Sequence, residues 1–211
     1  MKSLIDKLSI ETGISVKELN RLNRSKWYHG TTIEGARNIQ KIGVLANYNL
    51  GTELDFGMGF YLTDTYERAE NYISKIPVVR NDNSLIYPTE WAVIEFEFNP
   101  FEIIFNGEEK YKYKNLPTYN EEFAKFSLQN RLYNVYNEHP HGYDIIWGVM
   151  SDSIPAKIVS DVKAANISFD EAVVKMQKQS SMKQLYIGNQ DICDRLNVSN
   201  VYIRKGDAEN E

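Results

Sequence analysis

The sequence predicts an α+β fold with a largely antiparallel sheet and flanking helices. Three observations carry this. Strand-like and helix-like segments are mixed without regular βαβ spacing. "WAVIEFEF" alternates, with Ala92, Ile94, Phe96 and Phe98 on one face and Val93, Glu95 and Glu97 on the other. Three Ser/Thr-x-x-Glu patterns, at Ser15, Thr31 and Ser168, mark helix starts.

In chain order, residues 3–22 read as two short helices, with Leu19 and Leu22 at helical spacing. "ETGISVKELNRL" resembles half of a helix-turn-helix, but about 22 residues cannot build that module's three-helix core. A helical arm packed on the main domain, or docking a partner such as an antitoxin, is the better account. "KWYH" is a strand, and a helix from Thr31 to Gly43 follows. Residues 46–58 form a loop ending in "DFGMG", and "FYLT" is a strand. Asp64 or Thr65 caps the next helix, which Pro77 ends. "FEIIF" continues or pairs with the alternating strand, and residues 106–119 are loop-like. A long helix spans about 120–137, and "YDIIWGVM" is a buried strand. Residues 151–163 are irregular or partly helical. A helix opens at Ser168, and "KQLYI", "DIC" and "NVYIR" close the chain as strands. The domain division is an arm at 1–24, a main domain at 25–205 and a disordered tail at 206–211.

Composition narrows the function. The 211 residues suit one domain with a small appendage. The net charge of −5 opposes a dedicated duplex-DNA binder, whose phosphate contacts require a basic surplus. No apolar run approaches the roughly 20 residues that span a bilayer. The start is too polar and acidic for a secretory signal. The single cysteine, Cys193, excludes an internal disulfide and a multi-cysteine metal site, and reads as buried. A cytoplasmic location is expected, with unconventional export left open.

Several motifs read better as structure than as chemistry. "EHPHG" sets His139 and His141 two apart, but a metal needs three or four ligands, so no metal site is assigned and a solvent loop is expected. "KYKYK" at 110–114 interleaves base and aromatic but sits beside Glu108 and Glu109, which favours a solvated loop. Arg131 either pairs with an acid or meets a pyrophosphate.

Three blocks, each weak alone, gain weight from their order. They are "YHGT" at a strand end, "DFGMGFYLT", and "YIGNQDIC". Together they resemble the ADP-ribosyltransferase superfamily, in its His–Tyr–Glu branch. The longer pattern "WYHGTTIEGARNIQKIGV…DFGMGFYLTDTYERAENY…LQNRL…YDIIWGVMSDS…KQLYIGNQDIC" looks like a bacterial domain family of unknown function grouped with that superfamily. The resemblance covers about residues 26–196.

It implies a split, largely antiparallel sheet and NAD as substrate. It also implies transfer of ADP-ribose to a protein or nucleic-acid acceptor, as in a bacterial toxin or effector. By the resemblance, His29 bonds a ribose hydroxyl, and Gly30 and Thr31 clamp the nicotinamide, with glycine permitting close approach. Tyr61 stacks on the nicotinamide, Phe60 and Thr63 flank it, and Phe56 and Gly57 belong to the loop that brings this strand to the ligand. The family's catalytic glutamate matches Gln190, whose carbonyl accepts a hydrogen bond without bringing charge. Three readings stay open. Gln190 suffices for a slower transferase. Asp152 or Asp144 supplies the charge. Or the fold binds NAD or a related nucleotide, or a partner, without catalysis. NAD glycohydrolase activity is a further option. The expected catalytic set is Gln190, Tyr61 and His29.

Overall fold

The computed structural model describes residues 3–48, 54–75, 78–79, 85–107, 111–133, 141–151, 154–177 and 182–206. The α+β class holds, with a mostly antiparallel sheet system and flanking helices. Helices α1 (Leu4–Thr12) and α2 (Val16–Leu22) precede strand β1 (Lys26–Thr31) and helix α3 (Ile33–Ile42). Then come β2 (Phe60–Leu62), α4 (Tyr66–Ile73), the paired β3 (Val78–Val79) and β4 (Leu85–Ile86), and β5 (Glu90–Glu97). The second half holds β6 (Tyr113–Leu116), α5 (Glu121–Tyr133), β7 (Ile145–Val149), α6 (Ile154–Lys163) and α7 (Phe169–Met176). It ends with β8 (Lys183–Ile187), α8 (Gln190–Cys193) and β9 (Asn197–Lys205).

Two sheets form the frame. One runs β1-β5-β9, all antiparallel. The other runs β2-β8-β7-β6, antiparallel except for the parallel β6–β7 pair. Among the described residues a single backbone bridge, Tyr28 with Thr63, joins them through two hydrogen bonds of 2.9 and 2.8 Å. Trp27 of β1 meets Trp147 of β7 edge-on, ring centroids 5.6 Å apart. One hydrophobic cluster fills the space between the sheets around Trp27, Phe96, Trp147 and Leu185. A second packs α5, α6 and α7 on the outer face of β7 and β8, around Phe123, Val159 and Met176.

Several expectations change. Leu19 and Leu22 of the arm are fully buried in the first cluster, so the boundary at residue 24 does not separate two cores. Glu18 is buried too: its carboxylate takes hydrogen bonds from Trp147 Nε1 and, at 2.7 Å, Lys183 Nζ. It therefore cannot close the capping box with Ser15, which caps α2 alone. The start of α3 moves by one residue, with Thr32 receiving the Gly35 N–H at 3.0 Å. Thr65, not Asp64, caps α4. "FEIIF" turns into a π-helical turn over Glu102–Asn106 instead of pairing. Part of the loop expected at 106–119 is strand β6, and the segment expected to be irregular or partly helical is regular helix over 154–163, so its helical reading holds. "DIC" is helical, because Asn189 caps it by accepting the Asp191 N–H. Of the expected tail, Gly206 donates to the Thr89 carbonyl at 2.7 Å, and residues 207–211 lie outside the described residues.

Candidate active site

The seam between the two sheets opens into a cleft with two lobes. An apolar lobe of about 330 Å³ is bounded by α3, the segment after it and β2, with Ile39, Ile42, Leu45 and Phe60 in its walls. A larger lobe of about 680 Å³ lies on the other side; we call it the polar lobe for the charged and polar side chains in its walls, Asp55, Arg68, Arg131, Ser151, Lys183 and Gln184, which stand among apolar ones such as Leu54, Leu62 and Met150. Both lobes share four residues: His29, Gly30, Tyr61 and Tyr72.

Each shared residue has a physical reason for its place. His29 follows the bridge residue Tyr28, and its Nδ1 lies 2.8 Å from the Tyr61 carbonyl. A carbonyl only accepts, so Nδ1 carries the proton and Nε2 keeps its lone pair. Burial pushes the imidazole below its ordinary pKa, against the opposing pull of that carbonyl, so the ring stays neutral. No hydrogen bond occupies Nε2 among the described residues. Phe60 packs against the ring with centroids 4.4 Å apart.

Gly30 answers to a helix. A Cβ there would lie 2.3 Å from the Ala69 carbonyl oxygen and 3.0 Å from Ile73 side-chain atoms. The glycine was expected to make room for a ligand; it makes room for α4. Its backbone still borders both lobes.

Tyr61 is anchored by its own loop. Its hydroxyl donates to Gly57 O at 2.6 Å and accepts the Phe56 N–H at 3.2 Å. Gly57 has φ 76°, the left-handed turn that lets "DFGMG" fold back onto the strand. Burial holds the Tyr61 phenol well above its ordinary pKa, so the ring acts as a neutral flat wall. Tyr72, on α4, is 47% exposed and forms the other aromatic wall.

Of the other expected site residues, Thr31 and Phe60 border the apolar lobe and Thr63 the polar one. Phe56 does not reach the cleft: its ring is fully buried against Phe123, Phe126 and Tyr186. Gly57 likewise lines neither lobe.

Gln190 is placed elsewhere. Its Nε2 donates to Val44 O at 2.8 Å and to Asp194 Oδ1 at 2.6 Å, and its Oε1 accepts the Ala46 N–H at 3.0 Å. Both ends of the amide are thus spent on fixing the segment that carries Leu45, and Gln190 lines neither lobe. Asp144 is engaged by the Lys112 N–H and by Asn189 Nδ2, also off the cleft. Asp152 and His139 lie outside the described residues.

The sequence reading missed two polar groups that do line the cleft. Asp55 is only 4% exposed, and its carboxylate receives five hydrogen bonds. Ser127 Oγ (2.6 Å), Arg131 Nε (3.0 Å) and Ser151 Oγ reach Oδ1, while Ser151 N (2.9 Å) and Gln184 Nε2 (3.0 Å) reach Oδ2. Arg131 is therefore paired with a buried acid. Because the carboxylate only accepts, Gln184 must present Nε2 to it, which leaves Oε1 as the other end of the amide. Gln184 sits one rung beyond the Leu62–Leu185 pair, beside Thr63 on the neighbouring strand.

A family model described as "Protein of unknown function (DUF3990)" matches residues 26–198. The chain belongs to the DUF3990 family. No curated protein and no solved structure matches it. The DUF3990 match begins at the first residue of β1, covers every cleft residue named above, and leaves α1 and α2 outside.

Two further side chains depart from expectation. His141 is not in a solvent loop. Its Nε2 donates to Phe56 O at 2.8 Å and its Nδ1 accepts the Tyr143 N–H at 3.0 Å. Lys114 of "KYKYK" pairs with Glu122 at 2.6 Å and lies over the Phe126 and Tyr143 rings. Cys193 is buried, and burial pushes its thiol up to about 12.

Proposed function

We propose that this protein is an NAD-dependent ADP-ribosyltransferase that acts on a macromolecular acceptor. The observation that carries the reading is the meeting of an apolar and a polar lobe at a neutral histidine and two tyrosine rings. A dinucleotide is itself a chain of flat bases and polar sugars. The apolar lobe suits a base, and the junction suits a ring held between Tyr61 and Tyr72. His29 Nε2 accepts a hydrogen bond from a ribose hydroxyl.

Bound NAD supplies a nicotinamide–ribose bond whose cleavage leaves positive charge on the ribose, which an acceptor attacks as it gives up a proton. The chain's task is to stabilise that charge where it develops. Gln184 Oε1 offers a carbonyl dipole from the polar lobe, and Asp55 fixes the amide so that this oxygen cannot rotate away. These two take the role that the resemblance assigned to Gln190.

One observation favours a second reading, NAD binding with slow or no turnover. Asp55 is the carboxylate lining the cleft among the described residues, and its oxygens are saturated by Ser127, Arg131, Ser151 and Gln184. Incubation with NAD labelled in the adenosine half separates the two. Label on protein or nucleic acid supports transfer, free ADP-ribose supports hydrolysis, and bound but intact NAD supports the second reading. Absence of both binding and turnover rejects both.

A further inference from the structure

We propose that the polar lobe seats a single-stranded nucleic acid, which supplies the acceptor for ADP-ribose; this rests on the transferase reading above. The chain carries a net charge of −5, yet cations gather here. Arg68, Lys75, Arg131 and Lys183 line the lobe from α4, the turn after it, α5 and β8. Two more stand behind it on Asp64. Arg21 Nε lies 3.4 Å from Asp64 Oδ2, and Arg24 donates to the Asp64 carbonyl at 2.8 Å. Among the described residues, the carboxylates paired with these cations are Asp55, Asp64 and Glu18, buried to 4, 3 and 6% exposure. Among the described residues, four cations thus line one mouth of an acidic molecule, where Asp55 is the carboxylate in the wall.

The carboxylates do more than neutralise. Asp64 holds Arg68, Asp55 holds Arg131 and Glu18 holds Lys183 at 2.7 Å, so the cations are fixed before any ligand arrives. Lys75 is exposed at the rim. The tyrosines Tyr28 and Tyr72 line the same lobe. Fixed cations and aromatic faces lining one groove are the chemistry of single-strand recognition, in which phosphates meet the cations and bases stack. A concave lobe of about 680 Å³ admits nucleotides but not the width of a duplex. An acidic peptide would satisfy the cations and leave the aromatic faces without a role.

The test needs no turnover, so its outcome is separate from that of the transferase reading. A fluorescein-labelled mixed-sequence strand of about 12 nucleotides, as RNA and as DNA, is titrated with the full chain across a salt series. The expected result is salt-weakened binding to at least one strand. In Lys75→Ala the slope of log K against log salt should fall by about 0.7, the value of one phosphate contact. Lys205→Ala, on the far end of β9, should leave the slope unchanged. Added NAD should leave the strand bound. Four results overturn the proposal. They are no binding at low salt, equal slopes for wild type and Lys75→Ala, tighter binding of poly-glutamate than of either strand, and displacement of the strand by NAD. The last would give the lobe to the dinucleotide's own diphosphate.

Discussion

Gln184 donates its Nε2–H to Asp55 across 3.0 Å, between a strand and a loop 129 residues apart in sequence. The bond turns an amide with two interchangeable ends into a directed one. Gln190, six residues on, has spent both of its ends on the chain.

The two glutamines should therefore fail differently. Gln184→Met keeps the packing and removes the directed carbonyl. Its kcat for NAD cleavage should fall by about 10- to 1000-fold with KM little changed, the pattern of a contact made in the transition state. Gln190→Met should instead raise KM, since it frees the segment bearing Leu45, and should spare kcat. Steady-state kinetics decide, and a reversed pattern would return the catalytic role to Gln190.

Gly30→Ala should destabilise the fold by about 1–3 kcal/mol, the usual cost of overpacking. The obstacle is the Ala69 carbonyl, a backbone atom that cannot swing aside. Urea unfolding measures this without any ligand. A stability equal to wild type would mean that α4 and β1 are further apart than described.

Acid should weaken the protein before its carboxylates titrate. Burial lowers the pKa of both His29 and His141 from 6.5, against carbonyls that oppose the shift. The unfolded chain therefore binds these protons more readily. Stability from the neutral rings is complete above pH 6.5 and is lost as pH falls through the lower folded values. The urea midpoint should decline from about pH 6.5 downward, and His29→Gln with His141→Gln should flatten that decline. An unchanged slope in the double variant refutes the assignment.

Leu19→Ala should cost about 2–5 kcal/mol, as large-to-small changes in a core do. Ile10→Ala, on the same arm but 67% exposed, should stay within about 0.5 kcal/mol of wild type. Removing residues 1–24 should abolish cooperative unfolding, since it takes Leu19, Leu22 and the partner of Lys183 together. A truncated chain that unfolds cooperatively would restore the arm as an appendage.

Local chemistry was the legible part. The strand that carries His29, the helix stop at Gly43 and the capping box at Ser168 follow from short-range rules that the neighbours enforce, though the strand runs on to Thr31. "NQDIC" misled because Ile192 and Cys193 look like strand residues, while the helix signal was the capping Asn189 just before them. Gln184 had a readable sign: strand alternation sets it on the face of Tyr186, opposite the Tyr61 strand. Asp55 had none. Its meaning comes from Ser151, 96 positions away, and no local pattern encodes that contact. Glu18 likewise looked like half of a capping box until the fold brought Trp147 and Lys183 to it.

Among the described residues one backbone bridge joins the two sheets, and each contributes an indole to the edge-on pair of Trp27 and Trp147. Those rings sit near-perpendicular, at 85°, in the cluster beneath the seam. The molecule thus contains an optical gauge of how its two sheets are set against each other. Two coupled indoles give a paired circular-dichroism signal that depends on their separation and angle. Any ligand that spreads or closes the seam should write its effect into that signal, with no label added.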